Sequence, residues 1–221
     1  MLLSDSHRFI FIHVNKAAGT SVQNALAPFG HNPSGDSLGK LKSKLHLARD
    51  YRQRFYAEHA NASQLRKVLP QEVYDEFFKF AFVRNPWDWL ASSYHYLCNT
   101  PTHRHHRRVV AMASFAEYVN FEIVRDKRSQ AAFVCSGGEV IIDFVGRFET
   151  LEKDFLSVCR HVGIEASLPH ANKTDHRDYR EFYDDALTAK VAEHWRRDID
   201  LFAYEFDGLK SSAKRKFTTK L

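Results

Sequence analysis

The sequence predicts an α/β fold, a three-layer sandwich with helices on both sides of a central parallel sheet. Three observations predict it. The stretch from Phe9 starts as a continuous apolar run, as expected of a strand buried on both faces, and after His13 and Val14 it passes into a turn and a helix start. Phe77 to Val83 is a second such run, apolar with one lysine, and it ends just before Pro86, a residue favoured at the first position of a helix. Strands then alternate with helical patterns to the end of the chain.

The elements follow in order. Thr20 and Ser21 are candidate caps for a helix over Val22 to Leu26. Pro28 to Lys44, rich in Gly, Ser, Asn and Lys, reads as a loop, and Ala48 to Phe55 carries a mixed signal. Asn61 or Ser63 caps a short helix ending near Leu69, and Pro70 opens another. Trp87 to Leu97 is helical, Thr100 to Arg108 is a basic, His-rich loop, and Ser114 caps a helix to about Ile123. Val140 to Phe148 holds one or two short strands. Thr150 opens an amphipathic helix to about Val162, stopped by Gly163. Pro169 to Tyr179 is a polar loop. Asp184 or Asp185 opens one long last helix to about Leu201. With no repeat and no linker, 1–221 reads as a single domain, with 210–221 a flexible basic tail.

Composition bounds the function. Net charge is +5 with His neutral, and 13 His add to it in mild acid, which favours anionic ligands without pointing to nucleic acid. Cys98, Cys135 and Cys159 are sparse and far apart, which suggests reduced thiols and a cytoplasmic setting. No apolar run reaches membrane-spanning length, and the first residues lack the pattern of a signal peptide.

Two strand-to-helix junctions carry the chemistry. At the first, Asn15-Lys16-Ala17-Ala18-Gly19 leads into Thr20 and Ser21. Free backbone N–H groups at a helix start, the helix dipole and the Lys16 ammonium suit a phosphate or phosphosulfate. The same pattern also serves as a plain turn. The nucleoside-triphosphate loop, G-x-x-x-x-G-K-[ST], is not met, because Lys16 precedes the only Gly. At the second junction Arg84 leaves the strand with a guanidinium suited to bidentate phosphate contact, and Ser92 lies two helical turns on. The competing readings are an Arg84–Asp88 ion pair and a solvated Ser92.

These two junctions resemble the sulfotransferases that use 3′-phosphoadenosine 5′-phosphosulfate (PAPS), especially the carbohydrate branch related to heparan sulfate 2-O-sulfotransferase. His13 to Ser21 is similar to that family's 5′-phosphosulfate loop, H-x-P-K-T-A-G-T-S, and departs from it at Asn15 and Ala17. Arg84 to Ser92 is similar to its 3′-phosphate motif, R-x-P-x-x-x-x-x-S. Val145 to Glu149 and Asp198 to Phe206 extend the match. The resemblance implies a P-loop-kinase-like sulfotransferase fold. It implies PAPS as co-substrate and PAP as product, with Lys16, Ala18, Gly19, Thr20, Ser21, Arg84 and Ser92 binding the nucleotide.

Sulfuryl transfer is a matter of positioning and electrostatics, by analogy with phosphoryl transfer. Lys16 is the candidate for stabilising the leaving phosphate. A sulfuryl group carries less charge than a terminal phosphoryl, so no metal is expected. The base suits a histidine. His59 sits in a segment resembling the one that carries the catalytic His of bacterial relatives, and His46 is the rival. His13, at the strand end, reads as structural or loop-orienting. Lys173 falls in a loop implied to fold over the nucleotide, where it reaches a phosphate or is merely solvated. His103 to Arg108 reads as a surface for an anionic acceptor or as a solvated basic loop. Trp87 and Trp89 read as packing residues. The function expected is sulfuryl transfer from PAPS to a carbohydrate or glycoconjugate hydroxyl. The alternatives are a small-molecule kinase of similar fold and a non-catalytic polyanion-binding protein.

Overall fold

The computed structural model describes residues 1–31, 50–126, 128–169 and 178–210. In chain order the strands are β1 (Leu2–Ser4), β2 (Phe9–Ile12), β3 (Phe78–Val83), β4 (Cys135–Ser136), β5 (Glu139–Val140), β6 (Phe144–Arg147), β7 (Tyr204–Glu205) and β8 (Gly208–Leu209). The helices are α1 (Gly19–Leu26), α2 (Ala62–Val68), α3 (Gln71–Glu76), α4 (Pro86–Cys98), α5 (His106–Val110), α6 (Phe115–Val124), α7 (Ala131–Val134), α8 (Leu151–Val162), α9 (Asp185–His194) and α10 (Arg196–Phe202). The described residues of Met1–Val83 and Gln130–Ala171 form one compact unit, and those of Arg84–Ser129 and Asn172–Ala213 form another.

The first unit is built on a sheet of order β1-β2-β3-β6. β2, β3 and β6 are parallel, in the register Phe11↔Phe80↔Phe144, and β1 adds an antiparallel edge. Every residue of β2 and β3 is buried, which is why both read as unbroken apolar runs. On one face Phe9, Phe11, Phe78, Phe80, Phe82 and Phe144 form a single core with Val22 and Leu26 of α1 and Phe155, Val158 and Cys159 of α8. Gly146 makes room in this layer, since a Cβ there would stand 2.4 Å from the Phe82 ring. The lysine in β3, Lys79, is buried. Its ammonium is satisfied by the Tyr74 and Phe77 carbonyls, at 2.8 and 2.7 Å, and by Asp143 at 2.8 Å.

The second unit is helical apart from the β7–β8 hairpin. Trp87, Trp89, Leu90, Tyr118, Val191 and Trp195 are central to its core. Trp87 and Trp89 are therefore packing residues, as expected.

Several boundaries differ from expectation. α1 begins at Gly19, so Thr20 and Ser21 lie inside its first turn and do not cap it. The cap of α2 is Asn61, which forms a capping box with Gln64. The single long last helix is two helices, α9 and α10, broken at Trp195. The edge strand β1, the short α7 and β4 were not expected, β5 only touches the start of the segment expected to hold one or two short strands while β6 lies within it, and α5 occupies the end of the segment expected to be a basic loop. Among the described residues no helix is long and apolar enough to cross a membrane.

Candidate functional site

Where β2 ends, the chain makes a turn built on two left-handed residues. Lys16 has φ 60° and Ala18 has φ 62°. This conformation costs a non-glycine residue of order 1 kcal/mol, so the loop shape is held by its surroundings. Ala17, between them, is buried, with its methyl in the core. Ala18 is also the N-cap of α1 and offers no side-chain acceptor to the first N–H groups of the helix. The first turn therefore presents backbone donors and positive dipole, with Lys16 half-buried before it, Thr20 exposed and Ser21 half-buried.

His13 fixes this loop from below. It is 5% exposed and packs against Gly19, where a Cβ would stand 1.9 Å from its Cδ2 and 2.1 Å from its Nε2. Glycine is thus required at 19 for close approach and not for its backbone angles. The His13 Nδ1 lies 3.3 Å from Gln23 Oε1 and 3.7 Å from Glu58 Oε1. Burial, reinforced by the neighbouring His59 and the Met1 amino group, pushes the His13 pKa down to about 3. The ring is neutral at ordinary pH, so Nδ1 donates to the Gln23 carbonyl oxygen.

His59 stands beside this arrangement. Its ring is edge-on to that of His13, with centroids 4.8 Å apart, and its Nδ1 lies 3.0 Å from the His13 carbonyl oxygen. A carbonyl can only accept, so the proton of the neutral ring sits on Nδ1 and the lone pair is on Nε2. His59 is exposed. The first unit thus brings Lys16, Gly19, Thr20, Ser21, His13 and His59 into one neighbourhood. Gln23 and Glu58 belong to it and were missed, because neither stands in a motif. They arrive through helix α1 and through a contact 45 residues along the chain.

Arg84 is the first residue after β3 and is 9% exposed. Its Nε and Nη2 donate to the two carboxylate oxygens of Asp88, both at 2.7 Å, so the ion pair weighed as the alternative is formed. Ser92 is 7% exposed on α4, which removes the solvated-face reading for it. The junction is held by Asn85, whose Oδ1 accepts from Trp87 N and whose Nδ2 donates to the Glu205 and Phe206 carbonyls. Lys173 and His46 lie outside the described residues. Cys98, Cys135 and Cys159 are free thiols.

Comparisons with known proteins complete the picture. A crystal structure of a sulfotransferase from Alicyclobacillus acidocaldarius is similar at 16% identity and a TM-score of 0.43, covering 90% of this chain and 97% of that one. The crystal structure of mouse sulfotransferase SULT7A1 complexed with PAP is similar at 17% identity and a TM-score of 0.44, covering 98% of this chain and 75% of that one. An uncharacterized protein of Archaeoglobus fulgidus is 27% identical over 109 residues, 48% of this chain and 85% of that protein. The family model described as "Sulfotransferase family" matches residues 1–205, nearly the whole length, and the chain belongs to the sulfotransferase family.

Proposed function

We propose that this sulfotransferase takes the sulfuryl group from PAPS and places it on a hydroxyl of a carbohydrate or glycoconjugate. The observation that carries the reading is the pairing of an uncapped helix start, shaped by left-handed Lys16 and Ala18, with an imidazole whose Nε2 is left to accept a proton. The nucleotide's 5′-phosphosulfate fits this loop. The N–H groups of Gly19, Thr20 and Ser21 and the Lys16 ammonium match its charge, and Thr20 and Ser21 add hydroxyls. The 3′-phosphate is assigned to Arg84 and Ser92, and Lys173 is assigned to a cofactor phosphate, on the family resemblance.

In the reaction the acceptor oxygen forms a bond to sulfur as the bond from sulfur to the 5′-phosphate oxygen breaks. His59 Nε2 takes the hydroxyl proton, and Lys16 with the loop N–H groups stabilises the charge that grows on the leaving phosphate. A cytoplasmic setting with reduced thiols goes with this reading. The carbohydrate branch is supported by the H-x-x-K-x-A-G-T-S pattern of His13 to Ser21.

Thermal shift with adenosine 3′,5′-bisphosphate tests the nucleotide assignment. Stabilisation by the bisphosphate, lost in Lys16→Ala, is expected. Stabilisation by ATP alone would point to a kinase instead.

A further inference from the structure

The second unit carries a concentration of guanidinium groups that sulfuryl transfer leaves unused. Arg104, Arg107 and Arg108 are exposed, at and just before α5. Among the described residues no carboxylate pairs with any of the three. They are not floppy surface charges, because two of them are built into a scaffold. Arg104 Nε donates to His105 Nε2 at 3.0 Å. The Arg108 guanidinium lies 4.5 Å from the centroid of the Phe121 ring on α6. Arg125 comes within 5.4 Å of the same centroid, and its Nη1 lies 3.5 Å from the same His105 nitrogen.

One aromatic ring and one imidazole therefore gather three guanidiniums. The wholly buried Glu122 lies 2.7 Å from Arg125. Like charges held together in this way repel one another, and a bound anion relieves the repulsion. The groups are arginines, whose planar forks match carboxylate and sulfate oxygens bidentately, and stacking on Phe121 orients a fork before any ligand arrives.

We propose that Arg104, oriented by His105, and Arg108, oriented by Phe121, form with the neighbouring exposed Arg107 a binding surface for the carboxylate or sulfate groups of an anionic polysaccharide acceptor. The inference rests on the carbohydrate reading above and narrows it to a charged polymer. A polymer bearing both hydroxyls and anionic groups meets both needs, since the hydroxyls serve the transfer and the charges serve this surface.

The full chain is titrated with heparin, with neutral dextran and with single-stranded DNA of similar length, over a range of salt concentrations. Heparin is expected to bind and dextran not to. The variant with Arg104→Ala, Arg107→Ala and Arg108→Ala should weaken heparin binding at least about tenfold and flatten its salt dependence by roughly two to three units of slope. Arg108→Gln alone, which leaves the helix core untouched, should weaken it in the same direction should the triple variant fail to fold. Arg196→Ala, elsewhere on the same unit, should leave heparin binding unchanged.

Heparin binding indifferent to the arginine variants would overturn the proposal. So would DNA binding that equals heparin in affinity and in sensitivity to the variants. The bisphosphate thermal shift is read in parallel on every variant. Its absence in the parent chain, with heparin binding still sensitive to the arginines, would remove the enzyme reading and leave this surface standing.

Discussion

His13 and His59 are adjacent imidazoles with opposite situations, and the difference sets their uses. His59 is exposed, with its proton pinned to Nδ1 by the His13 carbonyl, so a base at Nε2 costs no tautomer shift. His59→Ala is expected to lower kcat about 10²- to 10⁴-fold while the bisphosphate thermal shift stays intact. Unchanged turnover would remove it from the role. His13 is buried and held neutral, and this ties folding to pH. Its unfolded pKa is the ordinary 6.5 and its folded pKa is about 3, so the unfolded chain binds the extra proton between these values. Stability from this group is whole above pH 6.5 and drains away as the pH falls towards 3. His59 and the Met1 amino group add to the effect of burial, the Gln23 hydrogen bond opposes it, and Glu58 Oε1 stands 3.7 Å from the ring. Chemical denaturation from pH 7 to 4 should show a steeper loss for the parent than for His13→Asn.

Gly19→Ala should disturb the loop directly, since the new Cβ would meet the buried His13 ring. Bisphosphate affinity is expected to fall at least about tenfold, measured by calorimetry. Lys16, Gly19, Thr20 and Ser21 were legible as a group because a strand-turn-helix junction keeps its chemistry local. The contacts that His13 makes were not, because they depend on how Glu58 and His59 return to the loop from outside any motif.

At the scale of elements, the most legible strands were β2 and β3, buried on both faces, while β6 fell within the Val140 to Phe148 segment expected to hold one or two short strands. β2 and β3 contain no polar alternation for the eye to miss, whereas β1, β4 and β5 have only two or three residues and no period. The break between α9 and α10 was hidden for a related reason. Trp195, where the helix interrupts, is itself buried against Trp89, so the apolar pattern continues through the interruption. Lys79 is the counter-case, a charge inside a central strand whose tolerance no periodicity explains. Its partner comes from just before β6. Asp143→Ala should cost about 3–5 kcal/mol in urea denaturation, because the ammonium is left buried without its counter-charge. Replacing Lys79 by Met together with Asp143 by Leu should recover most of that loss. A double variant as unstable as the single one would show that the carbonyl contacts of Lys79, and not the pair, hold this end of the sheet.

For the molecule as a whole, ligand linkage sets the expected size of the nucleotide effect. Adenosine 3′,5′-bisphosphate at about a hundred times its Kd should stabilise the fold by about 2.7 kcal/mol, or roughly 5–10 °C for a chain of this length. Fold class was open to reading at this scale because two buried parallel strands, each ending at a helix, leave few architectures to choose from. The arginine surface was only half readable. His103 to Arg108 announced its charge in one run, but Phe121 on α6 and Arg125 just past its end are separated from that run.

The placement of the tryptophans has an optical consequence. The chain has three, and Trp87, Trp89 and Trp195 all belong to the core of the second unit. Light absorbed at the red edge of the aromatic band is therefore taken up by that unit alone, and the phenylalanine-lined sheet beneath Lys16 stays dark. Emission will follow the melting of one half, and calorimetry will register both. Any gap between the two traces is a direct reading of whether the halves let go together.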